Sequence, residues 1–151
     1  MSNEYLDWMT DKIQEEKLIV EKYPFLQIRD IDGTVDVESK YPMIPLEIPN
    51  GWYNLFFQLC DDIKPILEKE GVLNDYYFIQ VKEKYNLLRC YPSKSIKEVD
   101  EILAEYENAA RYICCECGAS AVYEAQDYLA SYCENHWKDK AIHKKCKRLD
   151  I

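Results

Sequence analysis

A chain of 151 residues with 48% hydrophobic and 13% aromatic content can build one packed domain, and its composition is not that of a disordered segment. No apolar run approaches a membrane span, the N-terminal Met1-Ser2-Asn3-Glu4 is acidic rather than signal-like, and seven Cys is an odd number for a secreted disulfide framework, so a cytosolic setting without membrane contact is expected. The net charge of −9 is uneven: residues 132–151 hold six Lys or Arg against three Asp or Glu, a net +3, which leaves −12 for the rest. A body this acidic disfavours general binding to nucleic acid and suits solubility, a basic protein partner or a surface that imitates nucleic acid.

Leu6, Met9, Ile13 and Val20 recur near helical spacing and predict a helix over 3–22, ended by Tyr23-Pro24 because the residue before Pro avoids the α region. Phe25 to Arg29 and Val35 to Val37 read as strands around the turn Asp30-Ile31-Asp32-Gly33-Thr34. Residues 38–49 hold Pro42, Pro45 and Pro49 and read as an irregular crossing. A second helix should start near Asn50, with Trp52, Phe56, Leu59, Cys60, Ile63, Ile66 and Leu67 as its apolar stripe, Pro65 as a kink or division, and Gly71 as its stop.

Residues 76–91 predict a β-hairpin turning at Lys84-Tyr85-Asn86; in a regular strand Phe78 and Gln80 would face away from Ile79 and Val81. Ser95 with Glu98 forms a capping-box pattern ahead of a third helix, whose stripe is Ile96, Val99, Ile102, Leu103, Tyr106 and Ala110. A basic helix is expected over 134–148. Cys60 and Cys90 fall in apolar patterns and read as buried thiols.

The motif that carries chemistry is Cys114-Cys115-Glu116-Cys117-Gly118 followed by Cys133-Glu134-Asn135-His136: C-x2-C-G, then C-x2-H. Two closely spaced pairs of soft donors can close a tetrahedron around one Zn2+, with Cys114, Cys117, Cys133 and His136 as ligands. Gly118 suits a turn that needs positive φ. A site filled by four protein donors has no place for substrate, so the zinc is expected to be structural. Cys115 competes with Cys114 through a C-x-C spacing, and His143 with Cys146 offers a second H-x2-C pair; the commoner spacing favours Cys114, and the downstream pair reads as one face of the basic helix.

Outside the metal motif, Gln80, Lys82 and Arg89 form the best polar constellation: one face of the hairpin would carry an amide, an ammonium and a guanidinium, a set suited to phosphate or carboxylate. The plainer reading is a solvated sheet face. Catalytic patterns are missing: there are two His, no G-x-S-x-G, no P-loop and no H-E-x-x-H, and the H-x-E of a zinc deaminase has no counterpart, so no enzymatic activity is expected.

Tyr23-Pro24-Phe25-Leu26, Pro49-Asn50-Gly51-Trp52, Gln80-Val81-Lys82-Glu83-Lys84 with Leu88-Arg89-Cys90-Tyr91, and Cys114 to Gly118 resemble a set of small uncharacterised bacteriophage and prophage proteins over about residues 23–136. Their pattern has Gly-Gly where this chain has Asn86-Leu87, and Cys where it has His136. The resemblance implies a phage origin, residence in host cytosol and no assigned activity. It leads to the expectation of an accessory protein that inhibits a host defence factor, by occluding a host protein or by sequestering a small nucleotide at Gln80, Lys82 and Arg89. The alternatives are a zinc-containing nucleic-acid-binding regulator that uses the basic C-terminal helix, and an assembly factor that forms oligomers.

The expected fold is α+β: a short antiparallel sheet with the 76–91 hairpin packed against two or three helices in residues 1–112, then a zinc turn and basic helix in 113–151.

Overall fold

A computed structural model describes residues 3–138 and 146–149 and has an α+β fold. Helix α1 (Asn3–Lys22) stops where Pro24 forbids continuation. Pro24–Leu26 forms a 3-10 turn, not the start of a strand, with Phe25 and Leu26 fully buried. The strands expected on either side of Asp30–Thr34 are reduced to isolated bridges, Arg29 with Val35 and Gln27 with Met43. The turn itself forms, because Asp30 Oδ1 accepts from the N–H groups of Asp32 at 2.9 Å and Thr34 at 3.1 Å. That local closure competes with a ladder.

Strand β1 (Leu46–Glu47) is a two-residue element within the proline-rich crossing and pairs in parallel with β2 (Phe78–Lys84), which pairs antiparallel with β3 (Leu87–Pro92). Pro45 and Pro49 lack the N–H a longer strand would need. The sheet is therefore mixed, in the order β1-β2-β3. Strand β2 departs from regular alternation. A register shift between Phe78 and Gln80 leaves Ile79 63% exposed, while Phe78 and Val81 both face the core. The extra residue lets Phe78 join the ring cluster, with centroids 5.8 Å from Phe25, 5.8 Å from Tyr76 and 6.2 Å from Phe56.

Helix α2 (Tyr53–Lys69) follows a 3-10 turn at Asn50–Trp52 and runs through Pro65 undivided. Asn50 makes no side-chain cap: Pro49 precedes the 3-10 turn, and the α-helix starts only after Trp52. Trp52, Phe56, Leu59, Cys60, Ile63 and Leu67 are fully buried, as their spacing requires. Truncating a ring such as Phe56 to Ala would cost about 3–5 kcal/mol. Helix α3 (Lys97–Ala109) packs against α2 and β3 through Val99 and Leu103. The capping box is not formed. Ile96 occupies the cap position, and the Ser95 hydroxyl donates to Asp100.

The C-terminal part has its own sheet, order β5-β4-β6, from β4 (Tyr123–Ala125), β5 (Ala130–Tyr132) and β6 (Cys146–Arg148), all antiparallel. Between β5 and β6 lies the short helix α4 (Glu134–Lys138). The basic helix expected over 134–148 is thereby corrected: α4 has five residues, 139–145 lie outside the described residues, and Cys146–Arg148 is a strand. Pairing with β4 and burial of Leu149, whose N–H donates to Val122 at 2.8 Å, are tertiary gains that outweigh the helix propensity of Lys and Arg.

Candidate metal centre

The chain enters the centre through a tight hairpin. Ile113 bridges Ser120, the N–H of Cys114 donates to the carbonyl of Ala119 at 2.7 Å, and the N–H of Gly118 donates to the carbonyl of Cys114 at 3.0 Å. Gly118 adopts φ +81°, the left-handed conformation expected for it. The second pair lies at the start of α4, where the N–H of Trp137 donates to the carbonyl of Cys133 at 2.9 Å and brings Cys133 and His136 to one side.

Cys114, Cys117, Cys133 and His136 each offer a donor atom within 4.8 Å of all the others. Cys117 Sγ is 3.7 Å from Cys133 Sγ, and His136 Nδ1 is 3.5 Å from Cys114 Sγ and 3.2 Å from Cys133 Sγ. Tetrahedral bonds of about 2.3 Å to sulfur and 2.0 Å to nitrogen would set S···S edges of about 3.8 Å and S···N edges of about 3.5 Å. The four side chains thus fit a zinc-type ion in both donor set and spacing, with Nδ1 as the imidazole donor. His136 Nε2 stands 3.6 Å from a carboxylate oxygen of Glu116, an acid placed to steady the ring. Burial opposes ionisation of Cys114, yet the N–H groups of Cys133, Cys117 and Glu116 face its sulfur and hold its pKa down at about 7.

Cys115 turns away from the four. Its N–H donates to Ser131 and its carbonyl accepts from Gly51, both at 2.9 Å, and its side chain lines a cleft with Tyr128 and Leu129. Cys146 is exposed on β6 and is not part of the cluster; His143 lies outside the described residues. Cys60 and Cys90 are buried thiols whose pKa values burial pushes up.

The centre is fastened to the α+β core at two places. At the first, Gly51 lies against the metal turn. A Cβ at position 51 would stand 2.1 Å from the carbonyl oxygen of Cys114, so only glycine fits there. Next to it, the fully buried Trp52 donates from its indole to the Ile113 carbonyl at 3.4 Å. The second fastening is the tip of the β2–β3 hairpin. Tyr85 and Asn86 have φ of 53° and 62°, the two positive angles of a type I′ turn. Leu87 therefore stays in strand conformation, paired with Lys84, and the Asn86-Leu87 pair does not have to imitate Gly-Gly.

Asn86 is 1% exposed. Its amide donates to Glu124 Oε2 at 2.8 Å and Ser131 Oγ at 2.7 Å, and its N–H donates to Glu83 Oε1 at 2.8 Å. Arg111 closes the network with two bonds to Glu124, from Nε at 2.8 Å and Nη2 at 2.9 Å. Burial would push the Glu124 carboxyl up, but Arg111, Asn86 and Gln126 outweigh it and hold the pKa below its ordinary value. Asn86, Arg111, Glu124 and Ser131 were not singled out from sequence. The one signal is the place of Asn86 in the predicted turn Lys84-Tyr85-Asn86, where Asn tolerates positive φ.

The Gln80, Lys82 and Arg89 side chains do share the outer sheet face, and Lys82 lies directly across from Arg89. Acids stand among them. Gln80 Nε2 donates to Glu47 at 3.1 Å, Glu47 is the register neighbour of Lys82, and Arg89 lies 3.9 Å from Glu107. Burial raises the Glu107 pKa, opposed by the Cys90 N–H and by Arg89. Among the described residues, no helix is long and apolar enough to cross a membrane. No family model, curated protein or solved structure matches the chain.

Proposed function

We infer that the centre holds one structural Zn2+ and that the chain is a non-enzymatic phage accessory protein, acting in host cytosol by binding and occluding a host defence factor. The observation that carries the zinc role is the donor set: three thiols and one imidazole lie close enough to fill a tetrahedron around one ion, which would leave no position for water or substrate. Bound zinc would be the cross-link that holds the metal turn to α4 in a region too small to bury a core of its own.

The binding role is supported by the charge of −12 outside residues 132–151, which speeds encounter with a basic protein surface, and by the resemblance to phage proteins. Nucleotide sequestration at Gln80, Lys82 and Arg89 has less support, because Glu47 already accepts from the Gln80 amide and Glu107 already faces Arg89. A second reading has its own observation: Lys147 and Arg148 are exposed on β6 and border, with Arg111, a cavity of about 140 Å³ that suits a phosphate of nucleic acid.

The test is recovery of the tagged chain from phage-infected host cells, followed by mass spectrometry of its co-purifying proteins and released small molecules. A stoichiometric host protein is the result expected. A released nucleotide would replace occlusion with sequestration, and finding neither would overturn both.

A further inference from the structure

We propose that a groove between α1, the crossing at 41–46 and α2 docks a basic amphipathic segment of a partner protein, with a Lys or Arg of that segment received by Glu16. The inference rests on the reading of this chain as a protein binder and says where and how it binds. The groove has a volume of about 490 Å³, with walls that include Ile19, Ile28, Met43 and Phe57. Glu16, 6% exposed, lines it. Its Oε1 accepts a 3.3 Å bond from the N–H of Met43, the single hydrogen bond to Glu16 among the described residues. A carboxylate can accept about four, and one buried with so few partners is costly unless a cation joins it.

The rim already shows the chemistry that would fill it. The ammonium of Lys12 sits 4.9 Å from the ring centroid of Tyr41, and that of Lys40 sits 5.6 Å from the same ring. Both cations belong to exposed side chains of this chain. Lys12 also lines the groove and partly offsets the charge of Glu16 from a distance, but neither cation closes an ion pair with Glu16 among the described residues. An incoming Lys or Arg would lay its alkyl stem along Ile19 and Met43 while its charge reaches the carboxylate. Charge selects this occupant over others. An anionic ligand would meet two acids, Glu15 and Glu16, against one cation, Lys12, in the groove lining, a purely apolar one would bury Glu16 further without a cation, and a second copy of the chain carries the same net −9.

The test uses the full zinc-loaded chain and a short dye-labelled helical peptide of Leu and Lys, with a Leu and Glu peptide of the same pattern as control. Fluorescence anisotropy should report saturable binding of the Lys peptide at physiological ionic strength and none of the control. Glu16→Gln keeps an acceptor for the Met43 N–H but removes the charge, and it should weaken binding by about tenfold or more. In the unmutated protein, the methyl resonance of Met43 should shift as the Lys peptide is added. Equal binding by Glu16→Gln with an unshifted Met43 methyl would overturn the groove while leaving a protein-binding role elsewhere on the acidic body. Failure of the Lys peptide to bind, or equal binding of the Glu peptide, would also overturn the groove; recovery of a host protein from infected cells tests the wider reading separately.

Discussion

The amide of Asn86 donates to Glu124 across 2.8 Å, and this buried bond ties the tip of the β2–β3 hairpin to the sheet that backs the metal centre. Its members lie far apart in sequence, yet each satisfies another: Asn86 serves Glu124 and Ser131, and Arg111 neutralises Glu124. A network of this kind is stable while complete and costly when one member is removed.

Asn86→Ala should therefore destabilise the protein by about 2–4 kcal/mol, since it removes the buried bonds to Glu124 and Ser131 and puts a Cβ residue without a helpful side chain at positive φ. Urea unfolding measures this. Asn86→Gly, which removes the conformational strain but not the lost bonds, should recover only part of it. A loss below about 0.5 kcal/mol for Asn86→Ala would show that the network contributes little.

Glu124 should give stability a distinct acid dependence. Its folded pKa lies below the ordinary 4.5, so the unfolded chain takes up the proton first as pH falls. Its contribution is complete above about pH 4.5 and is lost as pH drops through the folded value. The stability difference between the unmutated protein and Glu124→Gln should be flat from neutrality to about pH 5 and shrink below that. A difference that grows on acidification would have the wrong sign.

Gly51→Ala should disturb the centre without touching a ligand. The new Cβ would lie 2.1 Å from a backbone oxygen of Cys114, and no side chain can rotate to relieve that clash. The loss should reach about 3 kcal/mol or more, with faster zinc transfer to a chromogenic chelator. Unchanged chelator kinetics would mean that the metal turn does not depend on its seat against Asn50–Trp52.

Local signals made several of these features legible. The stripe from Trp52 to Leu67, the stop at Pro24, the hairpin and the four donors all follow from spacing within one element or one turn. Features decided by distant partners were not legible. Strand β1 exists because Leu46 meets Val81, β6 forms against β4, and Phe78 reaches the core only through a bulge. Asn86 looked like a turn residue because its burial depends on Glu124 and Ser131, which are 38 and 45 residues away. Alternation along the hairpin puts Gln80, Lys82 and Arg89 on one face, but the neighbouring acids come from β1 and α3, which local spacing does not show.

The two cationic surfaces can be separated by substitution. Lys82→Ala with Arg89→Ala should change stability by less than about 1 kcal/mol, because the one ion pair it breaks among the described residues is partly exposed. If nucleotide is recovered with the protein, this variant should lose it. Lys147→Ala with Arg148→Ala tests the nucleic-acid reading while leaving the β6 backbone and Leu149 in place. Under that reading, gel retardation by the unmutated protein should weaken steeply with salt, and the variant should show a shallower slope.

The most direct test of the central claim is the metal content and coordination of the purified chain, by elemental analysis and X-ray absorption at the zinc edge. The account predicts one zinc per chain with three sulfur neighbours and one nitrogen, and a sharp fall in melting temperature once a chelator removes it. Protein that folds and melts identically without zinc, or zinc that remains fully bound after Cys114→Ser with Cys133→Ser, would contradict it.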